Sequence, residues 1–221
     1  MERNLAMIDE YKVRLEKVLP MDIEKRSFEI ISEELGNIKL DPLQEPVIKR
    51  VIHTTADFDY VKNLCFSENA VCNFQKAIKE GAYIVTDTQM ARSGINKKEL
   101  EKYGSEVYCF MSDDDVAQRA KVNKSTRAVA SMDKAAELNK DIIFAVGNAP
   151  TALVRLYELI HEGKINPKGI IGVPVGFVNV VEAKELILEL DCPYIVARGR
   201  KGGSNVAAAI CNALLYSMRG R

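Results

Sequence analysis

From residue 82 onward, short apolar runs rich in β-branched residues alternate with amphipathic stretches. A chain with this rhythm has few folds open to it, and the expected one is a mostly parallel sheet with helices on both faces. The spacing predicts strands over Ala82–Thr86, Glu106–Phe110, Asp141–Val146, Gly169–Val175 and Tyr194–Ala197. Two of them, DIIFAVG and GIIGVPV, are apolar almost throughout, as a strand covered on both faces must be. Helix ends are readable between them. Ser67 is placed to cap a helix stopped at Gly81, and Ser112 to cap one whose first turn is Asp113, Asp114 and Asp115. Pro150 suits the first turn of a helix running to Gly163, Asn179 begins another that ends near Leu190, and Ser204 opens the last, towards Met218.

The first 80 residues read as mostly helical. On a helix from Met21 to Leu35, Ile23, Phe28, Ile30, Ile31 and Leu35 form one apolar face, and Ser27 projects from within it, where its hydroxyl needs a partner. Asp41 and Pro42, or Pro46 a little later, start a second helix carrying Val47, Ile48, Val51 and Ile52. The β-branched residues of VIKRVIH make a strand the rival reading. The choice matters because Arg50 and His53 share a face on a helix and point to opposite faces on a strand. The proline-marked start favours the helix. The expected fold class is therefore α/β, a single three-layer domain with a mostly parallel central sheet covered by helices and a helical N-terminal segment. With no internal repeat or linker in view, residues 20–221 are read as one domain preceded by an extension over residues 1–19.

Composition removes several function classes. In 221 residues, 31 lysines and arginines balance 31 aspartates and glutamates, so the chain lacks the global positive field of sequence-independent nucleic-acid binding. No uncharged apolar run approaches the ~18 residues of a spanning helix, and the N-terminus is too charged for a signal peptide. Five cysteines, widely spaced and without a CxxC pair, indicate neither a disulfide framework nor a zinc site. A soluble, cytosolic protein is expected, with neither nucleic acid nor a membrane as partner.

Both histidines can be weighed. His161 lies in the last turn before Gly163, where an imidazolium suits the helix dipole, and reads as structural. His53 ends an apolar segment and is followed by Thr54, Thr55 and Asp57, polar groups able to fix its tautomer at a pocket wall. The basic cluster Arg198, Arg200 and Lys201 lies in RGRKGGSN, between a predicted strand and a helix. Gly199, Gly202 and Gly203 let a ligand approach the backbone, and the helix start at Ser204 adds free N–H donors, which together make an anion site. From Cys192 onward there are five basic residues and no acidic ones, leaving 26 basic against 31 acidic in residues 1–191. The loop has neither the GxGxxG nor the GxxxxGK[ST] order, which disfavours a nucleotide and leaves a phosphate or a set of carboxylates. GNAPT places Asn148 and Thr151, and GFVN places Asn179, after successive strands. In open α/β sheets such loops line one crevice. The SDDD run admits a metal reading, which helix capping explains better. No metal ligand set, paired catalytic carboxylates or GxSxG elbow is indicated.

With these residues in view, the chain resembles the precorrin-8X methylmutase family, the cobalamin-pathway enzymes that include the cobalt-precorrin-8 methylmutases. The likeness runs from about Pro20 to Ser217. It rests on DIEKRSFEII (22–31), KRVIHTTADFDY (49–60), VTDTQMARSGI (85–95), FAVGNAPTAL (144–153), GVPVGFVNVVEAKE (172–185) and ARGRKGGSNVAAA (197–209) taken together. It implies an isomerase that moves a methyl group from C11 to C12 of a corrin-like macrocycle, giving hydrogenobyrinic acid or its cobalt counterpart, cobyrinic acid. It implies no organic cofactor, and an α/β homodimer with the site near the subunit interface. The family's catalytic histidine matches His53, and its substrate-contacting serine and arginine match Ser27 and Arg50. A further arginine matches Arg127, in the less distinctive KSTRAVAS.

A methyl shift within a macrocycle asks for positioning and one proton donor or acceptor more than for a nucleophile, which suits His53. The substrate's acetate and propionate chains ask for anchors around its rim. Arg198, Arg200, Lys201 and the glycine-rich backbone fit, with Asn148, Thr151 and Asn179 as neutral donors. Two alternatives stand beside this reading: a non-catalytic tetrapyrrole carrier, and another α/β enzyme that binds a phosphate-bearing ligand at RGRKGGSN.

Overall fold

The computed structural model describes Glu16 and residues 18–219, in two units that meet in sequence at Ile38 and Lys39. In the first unit, α1 (Ile23–Leu35) buries Ile31 and Leu35, and Arg26 pairs with Glu16, Glu29 and Glu33. The hydroxyl of Ser27 finds its partner on the same helix, donating to the Ile23 carbonyl at 2.8 Å.

The second unit is built on a six-stranded sheet. In chain order its elements are α2 (Glu45–Thr55), α3 (Tyr60–Asn63), β1 (Leu64–Phe66), α4 (Ala70–Lys79), β2 (Tyr83–Thr86), α5 (Gln89–Gly94), α6 (Lys97–Glu101) and β3 (Val107–Tyr108). There follow α7 (Asp114–Val122), α8 (Arg127–Ala136), β4 (Ile142–Val146), α9 (Pro150–His161), β5 (Gly169–Gly172), α10 (Val180–Leu188), β6 (Tyr194–Ala197) and α11 (Ser204–Ser217). The strand order is β1-β6-β5-β4-β2-β3, parallel except for β1, which pairs antiparallel with β6.

Every residue of β4 and of β5 is buried, because helices cover both faces of the sheet. Side chains alternate across the strands, so Ile142, Phe144, Val146, Ile170 and Val196 pack with Met132, Leu153, Leu156 and Ile187 of α8, α9 and α10. Ile143, Ala145 and Ile171 face the opposite layer, where α4 and α11 lie on the sheet and α2 and α5 pack against α11. Among the described residues no helix is long and apolar enough to cross a membrane.

The α/β class and the helical reading of VIKRVIH hold, with Arg50 and His53 three residues apart on α2. Several boundaries move for identifiable reasons. The strand expected to reach Val175 stops at Gly172, because the Val173 carbonyl accepts from Gly203 N–H at 2.9 Å. Asn69, not Ser67, caps α4, and the Ser67 hydroxyl instead accepts from Tyr194 N–H at 2.9 Å at the β1–β6 edge. Asp113, not Ser112, is the cap residue of α7. The acidic run there is taken up by Lys134 of α8, whose Nζ lies 2.7 Å from both Asp113 and Asp115. His161 sits in the last turn of α9, with Nδ1 3.0 Å from the Tyr157 carbonyl.

Gly169 opens β5 directly over Phe74 of α4, a fully buried ring that a Cβ at this position would approach to 2.5 Å. Gly169→Ala therefore overpacks the sheet–helix interface and should cost about 1–3 kcal/mol in a denaturant melt. Adding Phe74→Leu should recover part of that loss, and unchanged stability of Gly169→Ala would contradict the packing described.

Candidate active site

Because β2, β4, β5 and β6 are parallel, their carboxyl ends lie along one edge of the sheet, and the four following loops meet there. These loops are TDTQ (86–89), GNAP (147–150), PVGFVN (174–179) and RGRKGGS (198–204). Hydrogen bonds join them. The Thr88 and Ser204 hydroxyls are 2.8 Å apart, Gly203 N–H donates to Val173, and Gly176 N–H donates to the Arg200 carbonyl at 3.2 Å. A Cβ on Gly147 would collide with Gly203 and Ser204, and one on Gly202 with the Val173 carbonyl, so glycine is what permits this approach.

Two fully buried side chains of opposite kind, an acid and a base, hold the loops. Asp87, directly after β2, accepts from the backbone N–H groups of Gly147, Asn148 and Ala149 at 2.8, 2.8 and 2.6 Å. Burial pushes its carboxyl up from the ordinary value, and the three amides oppose that shift. Lys184 of α10 reaches beneath RGRKGGS and donates to the carbonyls of Gly199 and Lys201 at 2.7 and 2.8 Å. Burial lowers its ammonium to about 8. Neither residue was among the candidates from the sequence. Lys184 could have been found there, because it falls on the i, i+3, i+4, i+7 stripe of Val180, Ala183, Lys184 and Ile187.

The three cations of the basic loop differ in their partners. Arg198 makes a two-pronged contact with Glu185 at 3.0 and 3.1 Å, and Lys201 sits 2.6 Å from both Asp57 and Asp59. Those carboxylates hold the Lys201 ammonium well above its ordinary value, and Lys201 in turn holds Asp57 below its own. Arg200 has no carboxylate partner among the described residues. It is exposed, with its guanidinium 5.5 Å from the centroid of the exposed Phe177 ring.

The Lys201 contacts bring in the end of α2. Thr54 and Thr55 donate to the carbonyls of Arg50 and Val51 one turn back, at 2.9 and 2.8 Å, and Ala56 ends the helix in the left-handed conformation. His53 and Thr54 are exposed in this last turn, while Arg50 is half-buried with its guanidinium over the Tyr216 ring of α11. Asp57 and Asp59 then join the segment to Lys201.

The remaining candidates surround the GNAP loop or lie apart. Asn148 and Thr151 are exposed, and the Thr151 hydroxyl is 3.1 Å from that of Thr126, the cap of α8. Arg127 is therefore brought close to the GNAP loop as the first residue of α8, exposed. Asn179 precedes α10 in the left-handed conformation, exposed, and its side chain makes no cap bond. Ser27 belongs to the first unit. A broad depression of about 690 Å³ lies at the amino end of the sheet, lined in part by Tyr83, Asp141 and Pro167, and none of the candidate residues lines it.

The chain matches the family model described as precorrin-8X methylmutase over residues 22–217. A cobalt-precorrin-8 methylmutase of Salmonella typhimurium is 48% identical over 206 residues, covering 90% of this chain and 96% of the other. One from Priestia megaterium is 46% identical over 197 residues, covering 89% and 88%. The crystal structure of a precorrin-8X methylmutase from Thermus thermophilus superposes with a TM-score of 0.81 at 42% identity, covering 88% of this chain and 96% of that one.

Asp87→Ala strands three backbone donors in a buried place, at about 1–3 kcal/mol for each group that finds no new acceptor. Denaturant unfolding should show a loss of several kcal/mol, with Asp87→Asn between it and the parent because one acceptor oxygen survives. Equal stability of Asp87→Ala and the parent would mean that the GNAP loop does not depend on this carboxylate.

Proposed function

The chain belongs to the precorrin-8X methylmutase family and is an isomerase of cobalamin biosynthesis, and from that premise we propose how its own residues carry the reaction. The observation that carries the reading is the family match over residues 22–217, which spans every candidate site residue. The proposed substrate is the cobalt-bearing macrocycle, supported by the names of the Salmonella and Priestia relatives at 48% and 46% identity. The proposed reaction moves the methyl group on C11 to C12, breaking one C–C bond as the other forms, with no change in overall oxidation state.

In this reading His53 is the catalytic residue. Its imidazole donates a proton to the ring system, which lowers the barrier to migration by withdrawing electron density, and recovers a proton as the product forms. The other groups bind and orient. Ser27, Arg50 and Arg127 contact the substrate, as do Thr54, Asn148, Thr151 and Asn179 as neutral groups. Arg198, Gly199, Arg200, Lys201, Gly202, Gly203 and Ser204 receive its carboxylates. Arg200 is the cation best placed for an incoming carboxylate, since Glu185 and the Asp57–Asp59 pair already occupy Arg198 and Lys201. Orientation of this kind supplies much of the acceleration of a unimolecular rearrangement.

The proposal extends to assembly and place. A homodimer with the site near its interface is supported by Val175, Phe177 and Val178, apolar side chains 48–81% exposed beside the basic loop. A cytosolic location is supported by five cysteines that are all free thiols. The domain is taken as residues 20–221, with residues 1–19 an extension ahead of it.

His53→Ala should lower turnover of cobalt-precorrin-8 by about 10²–10⁴-fold under anaerobic conditions, with product affinity within a few-fold of the parent. Near-parental turnover would remove His53 from its role, and bound pigment without conversion by either protein would favour a carrier. Affinity for the polycarboxylate should fall as salt rises, and Arg200→Ala should weaken it by a further factor of about 10. Insensitivity to both in an absorbance titration would return the loop to a solvated surface turn.

A further inference from the structure

Three consecutive carbonyls of the basic loop are all taken up by other parts of the chain, two of them by a fully buried side chain. Those of Gly199 and Lys201 accept from Lys184 Nζ at 2.7 and 2.8 Å, and that of Arg200 accepts from Gly176 N–H at 3.2 Å. In a planar trans peptide the C=O and the following N–H point in opposite directions. Turning the Gly199 and Lys201 carbonyls towards the buried Lys184 therefore turns the N–H groups of Arg200 and Gly202 away from it, on either side of that of Lys201. None of these three amides has an acceptor among the described residues. Successive backbone N–H groups left open in a turn can form an anion-binding concavity.

Lys184 is an unusual group to bury for packing alone. Taking an ammonium out of water is costly, and here its partners are two neutral carbonyls, with no carboxylate among the described residues to compensate. An apolar side chain would fill the same space on the α10 stripe without that cost. What an apolar chain cannot do is hold two carbonyls one residue apart, or place a positive charge in a low-dielectric position under the loop.

Resting on the methylmutase reading of this site, we propose that Lys184 is a positioning residue for substrate binding. By holding the Gly199 and Lys201 carbonyls, it aims the Arg200 and Gly202 amides at a carboxylate on the rim of the macrocycle. It touches no substrate atom. It acts through the backbone it fixes, and Arg200 completes the receptor from the exposed side.

The test compares the parent with Lys184→Met, which keeps the volume and removes the donors, and with Lys184→Ala. KM for cobalt-precorrin-8 and the Kd for cobyrinic acid should both rise about tenfold or more in Lys184→Met, with kcat within about threefold. In Lys184→Ala, propylammonium should restore much of the affinity, whereas n-propanol of similar size should not. KM and Kd within about twofold of the parent, or equal rescue by the alcohol, would overturn the proposal while leaving the methylmutase reading intact. A parent protein that neither binds cobyrinic acid nor turns over cobalt-precorrin-8 would overturn both. Independently of how the variants fold, titrating the isotope-labelled parent with cobyrinic acid should shift the amide resonances of Arg200 and Gly202. Unmoved resonances at both would also overturn the proposal.

Discussion

Leu64, Cys65 and Phe66 pair antiparallel with β6 at the edge of an otherwise parallel sheet, and the layout of the site follows from this short contact. Antiparallel pairing sets the start of β1 against the end of β6, with Leu64 opposite Ala197 and Arg198 N–H donating to the Asn63 carbonyl at 2.7 Å. The segment that leads into β1 is thereby delivered to the carboxyl end of the sheet. That segment carries the end of α2, with Arg50, His53 and Thr54, and then the Asp57 and Asp59 carboxylates that grip Lys201. A parallel β1 would have left His53 at the opposite end, beside the depression that none of the candidate residues lines.

Once the loops are gathered, their shape is set by two buried side chains acting on backbone. Asp87 gathers three N–H groups of the GNAP loop and Lys184 gathers two carbonyls of RGRKGGS, both from fully buried positions. One such side chain can orient several peptide groups at once, and the low local dielectric strengthens each of those bonds while raising the cost of leaving any unmade. The sheet supplies rigidity, the two buried side chains fix the loops, and exposed groups such as His53, Arg200, Asn148 and Asn179 are left facing outward at the rim. On the proposed reading, a chain of zero net charge receives a polyanion through backbone amides and Arg200, which has no carboxylate partner among the described residues, with no need of a global positive field.

Much of this could be read from the residues, and the rest fails for physical reasons. Strands β2, β4 and β6 lie within one residue of their predicted bounds, because strands buried on both faces have an apolar signature that few other elements share. The helix over Glu45–Thr55 followed from its proline start despite its β-branched content. β1 went unread because three residues carry no periodicity, and their partner lies some 130 positions away in the chain. Ser67 has the chemistry of a cap and is used instead to finish the β1–β6 edge, a choice that only tertiary pairing decides. Asn148, Asn179 and Arg200 were named as candidates because they follow predicted strands, and the loops that carry them do meet at one edge of the sheet. Asp87 was not named, because a carboxylate in a turn looks like ordinary solvated charge until its burial is known, and the place of Lys184 on the apolar stripe of α10 went unused.

The most direct test of this account is a crystal structure of the protein with cobyrinic acid bound. The account predicts the macrocycle across the carboxyl end of the sheet, with a rim carboxylate on the amides of Arg200 and Gly202 and the His53 imidazole within hydrogen-bonding reach of the ring system. A macrocycle seated in the depression at the amino end, or His53 far from the ring in every copy, would contradict it.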